Sequence, residues 1–161
     1  MINLLLVEDN ETIITGLTYA LSQESFEVDV ARTAYETRQK LQRQSYDLLI
    51  LDVSLPDGDG FEICKEVKKK DIELPIIFLT AKDEEKDVVL GLEIGADDYV
   101  IKPFRTKELI SRIRTVLRRY HKKEEKSTIQ IKDVTIDLAK AEVYKGKRQV
   151  ILTALEYKIL V

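Results

Sequence analysis

The chain of 161 residues has few cysteines, histidines and long apolar runs. Its single cysteine, Cys64, excludes an internal disulfide and agrees with a reducing compartment. The single histidine, His121, lies among charged residues, so we expect it on the solvated surface. No apolar run approaches the ~20 residues that cross a bilayer. The N-terminus shows no basic region or cleavage site. We therefore expect no membrane association, no export signal and a cytoplasmic location.

The formal net charge of -3 conceals a difference between two parts of the chain. Residues 1–120 carry 17 Lys and Arg against 23 Asp and Glu, whereas residues 121–161 carry 9 against 6. Apolar residues make up 44% and charged residues 34%, which indicates a globular protein. The mildly basic second part permits contact with nucleic acid but does not demonstrate it.

Short apolar runs alternate with helix-type segments five times in residues 1–120. The predicted strands are 2–7, 27–31, 47–51, 74–79 and 98–101, and four of them are nearly continuous apolar runs, typical of strands covered on both faces. The predicted helices are 11–24, 34–44, 60–70, 84–94 and 106–120. Repeated β–α units predict an α/β fold: a five-stranded parallel, doubly wound sheet of flavodoxin-like type.

Polar side chains follow four of these strands where each strand ends. They are Glu8 and Asp9, Asp52, Thr80 and Lys102. Because the carboxyl ends of parallel strands meet at one edge of a sheet, we expect these side chains to lie close together. Three clustered acids repel one another unless a cation is present, and carboxylate oxygens suit Mg²⁺. The sequence therefore predicts a magnesium site formed by Glu8, Asp9 and Asp52.

Asp52 is the candidate nucleophile of this site. A carboxylate can attack phosphorus to give an acyl phosphate once its charge is neutralised. Lys102 could pair with one phosphoryl oxygen, and the hydroxyl of Thr80 could donate a hydrogen bond to another. This set of side chains predicts phosphoryl transfer to the protein itself.

Residues 121–161 have a different texture. The polar segment 121–127 is predicted to be a linker, continuous with the preceding helix or separate from it. Apolar residues at 129, 131, 134, 136, 138, 143, 150 and 152 predict short antiparallel strands with turns near 132–133, 139–140 and 146–147. Thr153 and Glu156 form a capping box, so the small sheet is followed by the start of a helix. That helix has eight residues before Val161, so we expect this second domain to be incomplete.

Four segments resemble the receiver domain of two-component response regulators: LLLVEDN, LLILDVSLPDGDGFEIC, LPIIFLTAKD and GADDYVIKPF. The resemblance covers residues 1–120 and implies a receiver domain there. It makes Asp52 the phosphoacceptor, Glu8 and Asp9 metal ligands, and Lys102 the phosphate-pairing lysine. It also implies a switch in which Thr80 moves to the phosphoryl group and Tyr99 turns inward behind it. The implied donor is a sensor histidine kinase, and the protein would be no enzyme beyond its own phosphorylation and dephosphorylation.

The segments ADDYVIKPF, ELISRIRTVLRR and LTALEYKIL further resemble the OmpR/PhoB subfamily. This resemblance implies that residues 128–161 are the N-terminal fragment of a winged-helix DNA-binding domain. The recognition helix would follow it, so we assign no DNA-binding residue in this chain, and promoter DNA is a partner through the missing part. We also expect a homodimer on phosphorylation. Its predicted face contains Val88, where the subfamily places a basic residue, and the charged residues Glu93, Asp97, Asp98, Arg112, Arg114 and Arg119.

Two alternatives remain open. A phosphatase of the haloacid-dehalogenase type also forms an aspartyl phosphate, but it would need an acid at position 54, which is Ser54. A flavodoxin-like binder of small molecules would need a Gly-rich or Ser/Thr-rich loop after the first strand, where the chain has Glu8, Asp9 and Asn10.

Overall fold

A computed structural model describes residues 1–131, 134–137, 142–145 and 148–149, with side chains described for residues 1–121. The predicted turns at 132–133, 139–140 and 146–147, the strand residues 138, 150 and 152, and the predicted helix start at 153–161 lie outside the described residues. The chain divides into two compact units, Met1–Leu117 and Arg118–Val161. The predicted domain boundaries at 120 and 127 stay predictions.

The first unit is built on a parallel sheet of five strands. These strands are β1 (Ile2–Val7), β2 (Phe26–Ala31), β3 (Leu48–Leu51), β6 (Ile76–Thr80) and β7 (Asp98–Ile101). Their spatial order is β2-β1-β3-β6-β7, which is the doubly wound arrangement expected from the alternating pattern. All residues of β3 and β6 are buried, as their unbroken apolar character predicts.

Five helices connect and cover these strands. They are α1 (Glu11–Gln23), α2 (Ala34–Arg43), α3 (Gly60–Lys70), α4 (Glu85–Glu93) and α5 (Thr106–Ser127). Polar side chains cap three of them: Asn10, Thr33 and Asp59 each accept a backbone N–H of the first turn. Residues 121–127, predicted as a linker, are helical and continue α5.

A short hairpin follows the third strand of the sheet. It consists of β4 (Ser54–Leu55) and β5 (Gly58–Asp59), which pair antiparallel. This hairpin was not predictable from the sequence, because strands of two residues show no hydrophobic period. The hairpin leads into α3 and therefore fixes the path of the chain immediately after Asp52.

The small antiparallel sheet predicted in the second unit is confirmed for the described residues. Its strands are β8 (Thr128–Ile131), β9 (Val134–Asp137), β10 (Glu142–Lys145) and β11 (Arg148–Gln149), in the order β11-β10-β9-β8. Each pairs antiparallel with its neighbour.

The single cysteine, Cys64, and the single histidine, His121, both lie on helices. Cys64 is fully buried on α3, where burial raises the pKa of its thiol to about 11. His121 is exposed on α5. Within the described part of the chain, no helix combines the length and apolar character that a membrane span requires.

Candidate functional site

The strand ends that carry the predicted site residues are joined by backbone hydrogen bonds. The Glu8 N–H donates to Ala31 O over 3.0 Å, and the Asp52 N–H donates to Val7 O over 3.1 Å. On the other side of the sheet, the Lys102 N–H donates to Thr80 O over 2.9 Å. The backbone thereby brings the ends of β1, β3, β6 and β7 to one edge, as the parallel topology predicts.

Three carboxylates form an acidic cluster at this edge. Ligand oxygens of Glu8, Asp9 and Asp52 all lie within 4.8 Å of one another. Glu8 and Asp52 are buried, with 1% and 5% of their surface exposed, whereas Asp9 is exposed. Asn10 caps α1 and also donates its N–H to Glu8 Oε2 over 3.1 Å.

The cluster fits a hard divalent cation. Octahedral coordination at about 2.1 Å sets ligand oxygens roughly 3 to 4 Å apart, so small side-chain rotations would close this set around Mg²⁺. Glu8 Oε1 is buried, and its charged neighbour is the Lys102 ammonium at 2.8 Å, so a cation at this position would also meet a buried negative charge. Burial, the largest influence, raises the pKa of Glu8 although Lys102 and the Asn10 N–H act in the opposite direction. A cation would favour the ionised form that burial disfavours.

Lys102 connects two members of the cluster. Its Nζ lies 2.9 Å from Asp52 Oδ2, to which it donates a hydrogen bond, and 2.8 Å from Glu8 Oε1 in an ion pair. Burial alone would lower the pKa of Lys102, but its contacts with Glu8 and Asp52 raise it. The side chain is therefore a fixed positive charge beside the candidate nucleophile. The Lys102–Pro103 peptide bond is cis.

The loop after Asp52 fixes the orientation of its carboxylate. The Ser54 N–H donates to Asp52 Oδ1 over 3.0 Å. A Cβ on Gly60 would overlap with the Asp52 carbonyl oxygen, so only glycine allows α3 to begin this close. Asp57 in the hairpin accepts the backbone N–H groups of Ala34 and Tyr35 over 2.6 and 3.0 Å. The hairpin is thus attached to the N-terminus of α2.

Thr80 and Tyr99 are connected through one residue of the loop after β6. Thr80 is fully buried, and its Oγ1 accepts the Lys82 N–H over 3.3 Å. The carbonyl oxygen of Lys82 accepts the hydroxyl of Tyr99 over 2.7 Å. Tyr99 is only 9% exposed, and its side chain lies inside, in the inward position that the predicted switch assigns to it. Burial, with smaller contributions from Asp87, Asp52 and Asp83, raises the pKa of Tyr99 to about 12.

The predicted dimer residues do not all share one face. Arg112 Nη1 lies 2.9 Å from Asp98, and its Nη2 lies 3.0 Å from Glu108, so these charges form one group on β7 and α5. Arg114 instead contacts Glu24 over 2.6 Å and lies over the Phe26 ring. The structure therefore places Arg114 beside the C-terminal end of α1.

The other residues predicted for that face have varied surroundings. Asp97 accepts the Ile76 N–H over 2.9 Å and lies 3.8 Å from Lys68, close to the start of β6. Val88 is half-buried and packs against the core rather than facing solvent. Glu93 and Arg119 are exposed. Three apolar side chains of α4 are exposed as well: Val89, Leu90 and Leu92.

Two residues of the site were missed by sequence reasoning, namely Asp57 and Gly60. Both belong to the turn Pro-Asp-Gly-Asp-Gly, whose composition marks a loop. The signal for Gly60 was its position as the first helical residue after the cap Asp59, since glycine within a helix is unfavourable unless something requires it. No local signal indicates that Asp57 contacts α2, because its partners lie 22 and 23 residues away.

A receiver domain has these features: a five-stranded parallel sheet and, at its carboxyl edge, a phosphoacceptor aspartate, an acidic cluster and a lysine. Residues 4–114 match the response regulator receiver domain family. The chain belongs to this family and carries the receiver domain of a two-component response regulator.

The most similar proteins include transcriptional regulators. The chain is 38% identical over 157 residues to the transcriptional regulatory protein BasR of Escherichia coli (strain K12), covering 98% of this chain and 70% of BasR. It is 50% identical over 117 residues to the transcriptional regulatory protein CreB of the same organism, covering 73% of this chain and 51% of CreB. These relatives are OmpR/PhoB-family regulators.

Solved structures confirm the fold. The crystal structure of the BeF3-activated N-terminal receiver domain of Klebsiella pneumoniae RstA superposes with a TM-score of 0.68. The two chains are 30% identical, and the match covers 72% of this chain and 98% of the other.

Proposed function

We propose that Asp52 accepts a phosphoryl group from a sensor histidine kinase and that the phosphorylated protein controls transcription as a homodimer. The observation that carries this proposal is the surroundings of Asp52. Its buried carboxylate contacts the Lys102 ammonium at 2.9 Å and lies within 4.8 Å of ligand oxygens from two further acids. This arrangement combines a nucleophile, a cation-binding set and a fixed positive charge.

The three acids would hold Mg²⁺. When bound, the ion would supply the positive charge that lets an anionic carboxylate approach an anionic phosphoryl group. Glu8 and Asp9 act only as ligands in this proposal, whereas Asp52 is both ligand and nucleophile. Lys102 would pair with a phosphoryl oxygen after releasing Asp52 Oδ2.

The reaction transfers one phosphoryl group between two side chains. An oxygen of Asp52 forms a bond to phosphorus while the bond from phosphorus to the imidazole nitrogen of the donor histidine breaks. The electron pair of the broken bond stays with the imidazole, and Asp52 becomes an acyl phosphate. Water later cleaves this anhydride and restores the carboxylate. The protein thus promotes its own phosphorylation and dephosphorylation but turns over no free substrate as an enzyme would.

The proposed switch uses Thr80 and Tyr99. If the Thr80 hydroxyl turns to a phosphoryl oxygen, the Lys82 N–H loses its acceptor and the loop after β6 can move. Charge-assisted hydrogen bonds contribute about 1.5–3 kcal/mol each. Two of them, from Thr80 and Lys102, approach the ~5.5 kcal/mol that converts a 1:99 population into 99:1. Because Tyr99 already lies inside, phosphorylation would hold the ring in place together with a new loop position.

The proposed dimer face consists of α4, β7 and the side of α5 that carries Arg112. Exposed Val89 and Leu92 offer apolar surface there, and the ion pairs of Arg112 with Asp98 and Glu108 offer charges for a two-fold contact. Arg112→Ala should prevent dimerisation of the beryllofluoride complex in sedimentation. Arg114→Ala is the matched control on the same helix and should dimerise normally. Equal dimerisation of the two variants would exclude this face.

The relatives are named as transcriptional regulatory proteins, which supports promoter DNA as a partner of the whole protein. A cytoplasmic location would bring the kinase and the promoter within reach of the same molecule. In this proposal the kinase acts first, at the acidic cluster, and DNA binding follows phosphorylation. The protein therefore does not need to bind both partners at the same time.

Labelling of Asp52 tests the proposal. The chain is incubated with acetyl phosphate and Mg²⁺, and its intact mass is measured for the unmodified protein, Asp52→Asn and the control Asp83→Asn. We expect full labelling of the unmodified protein and the control, none of Asp52→Asn, and none of any variant in EDTA. Labelling of Asp52→Asn at the control level would refute the proposed phosphoacceptor.

A further inference from the structure

The inward Tyr99 ring packs against α4 at Gly91, a residue without a side chain. The ring lies 5.7 Å from the Phe78 ring, centroid to centroid, and its hydroxyl donates to the Lys82 carbonyl oxygen. The neighbouring helix contributes Gly91, a buried residue of α4. A Cβ at Gly91 would lie 2.8 Å from Tyr99 Cδ2, 3.0 Å from Cε2 and 3.2 Å from Phe78 Cδ2. Contacts this short require the ring or the helix to move.

No backbone property explains glycine at this position. Gly91 lies inside a regular helix, and positive φ is found only at Ser25 and Gly95 among the residues the structure describes. Glycine inside a helix is less favourable than alanine. The reason for Gly91 is therefore the space over its Cα, and that space is filled by the Tyr99 ring.

Gly16 offers a contrast within the same molecule. It also lies inside a helix, α1, and also lacks positive φ. A Cβ at Gly16 would meet no atom within 4 Å. Replacement of either glycine by alanine gains helix propensity, so a difference between the two variants reports the contacts of the new Cβ at position 91, the shortest of which are with Tyr99.

We propose that Gly91 is a positioning residue of the switch: its missing Cβ forms the slot that holds the Tyr99 ring inside, and it thereby sets how far Tyr99 follows phosphorylation of Asp52. The claim that Gly91 sets the response of Tyr99 to phosphorylation rests on the proposed function. The claim that Gly91 makes room for the ring does not. A contiguous set of contacts joins the slot to the site, since Tyr99 contacts Lys82, Lys82 contacts Thr80, and Thr80 ends the strand beside Asp52.

An alanine at position 91 should expel the ring without touching the phosphoacceptor. Gly91→Ala should be labelled by acetyl phosphate to the same stoichiometry as the unmodified chain. Its affinity for beryllofluoride with Mg²⁺ should fall about tenfold, because the ligand must then also restore the inward ring.

The experiment uses 3-fluorotyrosine in the full chain and ¹⁹F NMR. Tyr99→Phe identifies the Tyr99 resonance among the seven tyrosines. We expect Gly91→Ala to move this resonance toward a solvent-exposed shift and to weaken the beryllofluoride titration, while Gly16→Ala does neither. The inference is overturned if the two alanine variants give the same resonance and the same titration midpoint. Absence of labelling in the unmodified chain and in Gly16→Ala would instead refute the proposed function.

A stability measurement covers the case in which Gly91→Ala does not fold. The same substitution is made together with Tyr99→Ala, which removes the ring, and unfolding in urea is followed by circular dichroism. The loss caused by Gly91→Ala should be much smaller in the Tyr99→Ala background, leaving only the 3.2 Å contact with Phe78. An equal decrease in the free energy of unfolding in both backgrounds would show that the absence of a Cβ at Gly91 does not serve to accommodate Tyr99.

Discussion

Replacement of Lys102 by methionine should destabilise the protein and make its stability depend strongly on Mg²⁺. The substitution keeps a chain of similar length but removes the charge between Glu8 and Asp52. Both carboxylates are almost fully buried, and their ligand oxygens lie no more than 4.8 Å apart. Two unit charges at that distance repel by about 3.5 kcal/mol at an effective dielectric constant of about 20.

The expected loss follows from this repulsion and from the exposure of the lysine. Removal of one partner of a buried ion pair typically costs about 3–5 kcal/mol. The Lys102 side chain is 17% exposed, so solvent screens part of the interaction, and we expect a loss of about 2–4 kcal/mol in EDTA. Mg²⁺ replaces the missing charge, so it should stabilise Lys102→Met more than the unmodified protein. At a hundred times its Kd, a ligand adds about 2.7 kcal/mol.

Urea unfolding followed by circular dichroism measures both effects, with EDTA in one series and Mg²⁺ in the other. Lys86→Met serves as the control, since the Lys86 side chain is 80% exposed beside Glu84 and should change stability by less than about 0.5 kcal/mol. Glu8→Gln in the Lys102→Met background should recover most of the loss in EDTA. The reasoning is refuted if Lys102→Met unfolds like the control, or if Mg²⁺ stabilises it no more than the unmodified protein.

Three further predictions concern stability. Ser25 follows the end of α1 with φ of 70°, so Ser25→Gly should raise the free energy of unfolding by about 0.5–1 kcal/mol in the same urea assay. Backbone N–H groups of α2 lower the pKa of Asp57, so Asp57→Asn should lower the thermal midpoint at neutral pH, with the deficit disappearing as the pH falls through that pKa. Burial is the largest of the influences that raise the pKa of Tyr46 and of Tyr99 from 10 to about 12, so ionisation of these two hydroxyls opposes folding. Stability should be lost as the pH rises from about 10 to about 12, and absorbance titration should show one late-titrating tyrosine fewer in Tyr46→Phe than in the unmodified chain.

The positions of the catalytic-type residues could be predicted because parallel topology converts sequence order into spatial proximity. Unbroken apolar runs located β3 and β6, and the polar residues after them were then bound to meet at one edge. No side-chain contact had to be known for Asp52 and Lys102 to be placed together. Strand order alone brings these two residues together, although they are 50 positions apart in the sequence.

Contacts that depend on side-chain direction could not be predicted in this way. Helical spacing placed Arg112 and Arg114 on one helix but did not show that Arg114 contacts Glu24, 90 residues earlier. The half-buried position of Val88 against the core was not predictable either. The same holds for the close approach of the Tyr99 ring to α4, where a Cβ at Gly91 would lie 2.8 Å from the ring. Packing of this kind is set by the space between elements, which a one-dimensional pattern does not contain.

Chemical trapping of the acyl phosphate tests the central claim most directly. The chain is labelled with acetyl phosphate and Mg²⁺ and then reduced with borohydride, which converts an aspartyl phosphate to homoserine. Tandem mass spectrometry of the digested protein locates the change. The account predicts homoserine at position 52 alone, and only in samples that contained Mg²⁺. Homoserine at another aspartate, or an unchanged Asp52 in a fully labelled sample, would contradict it.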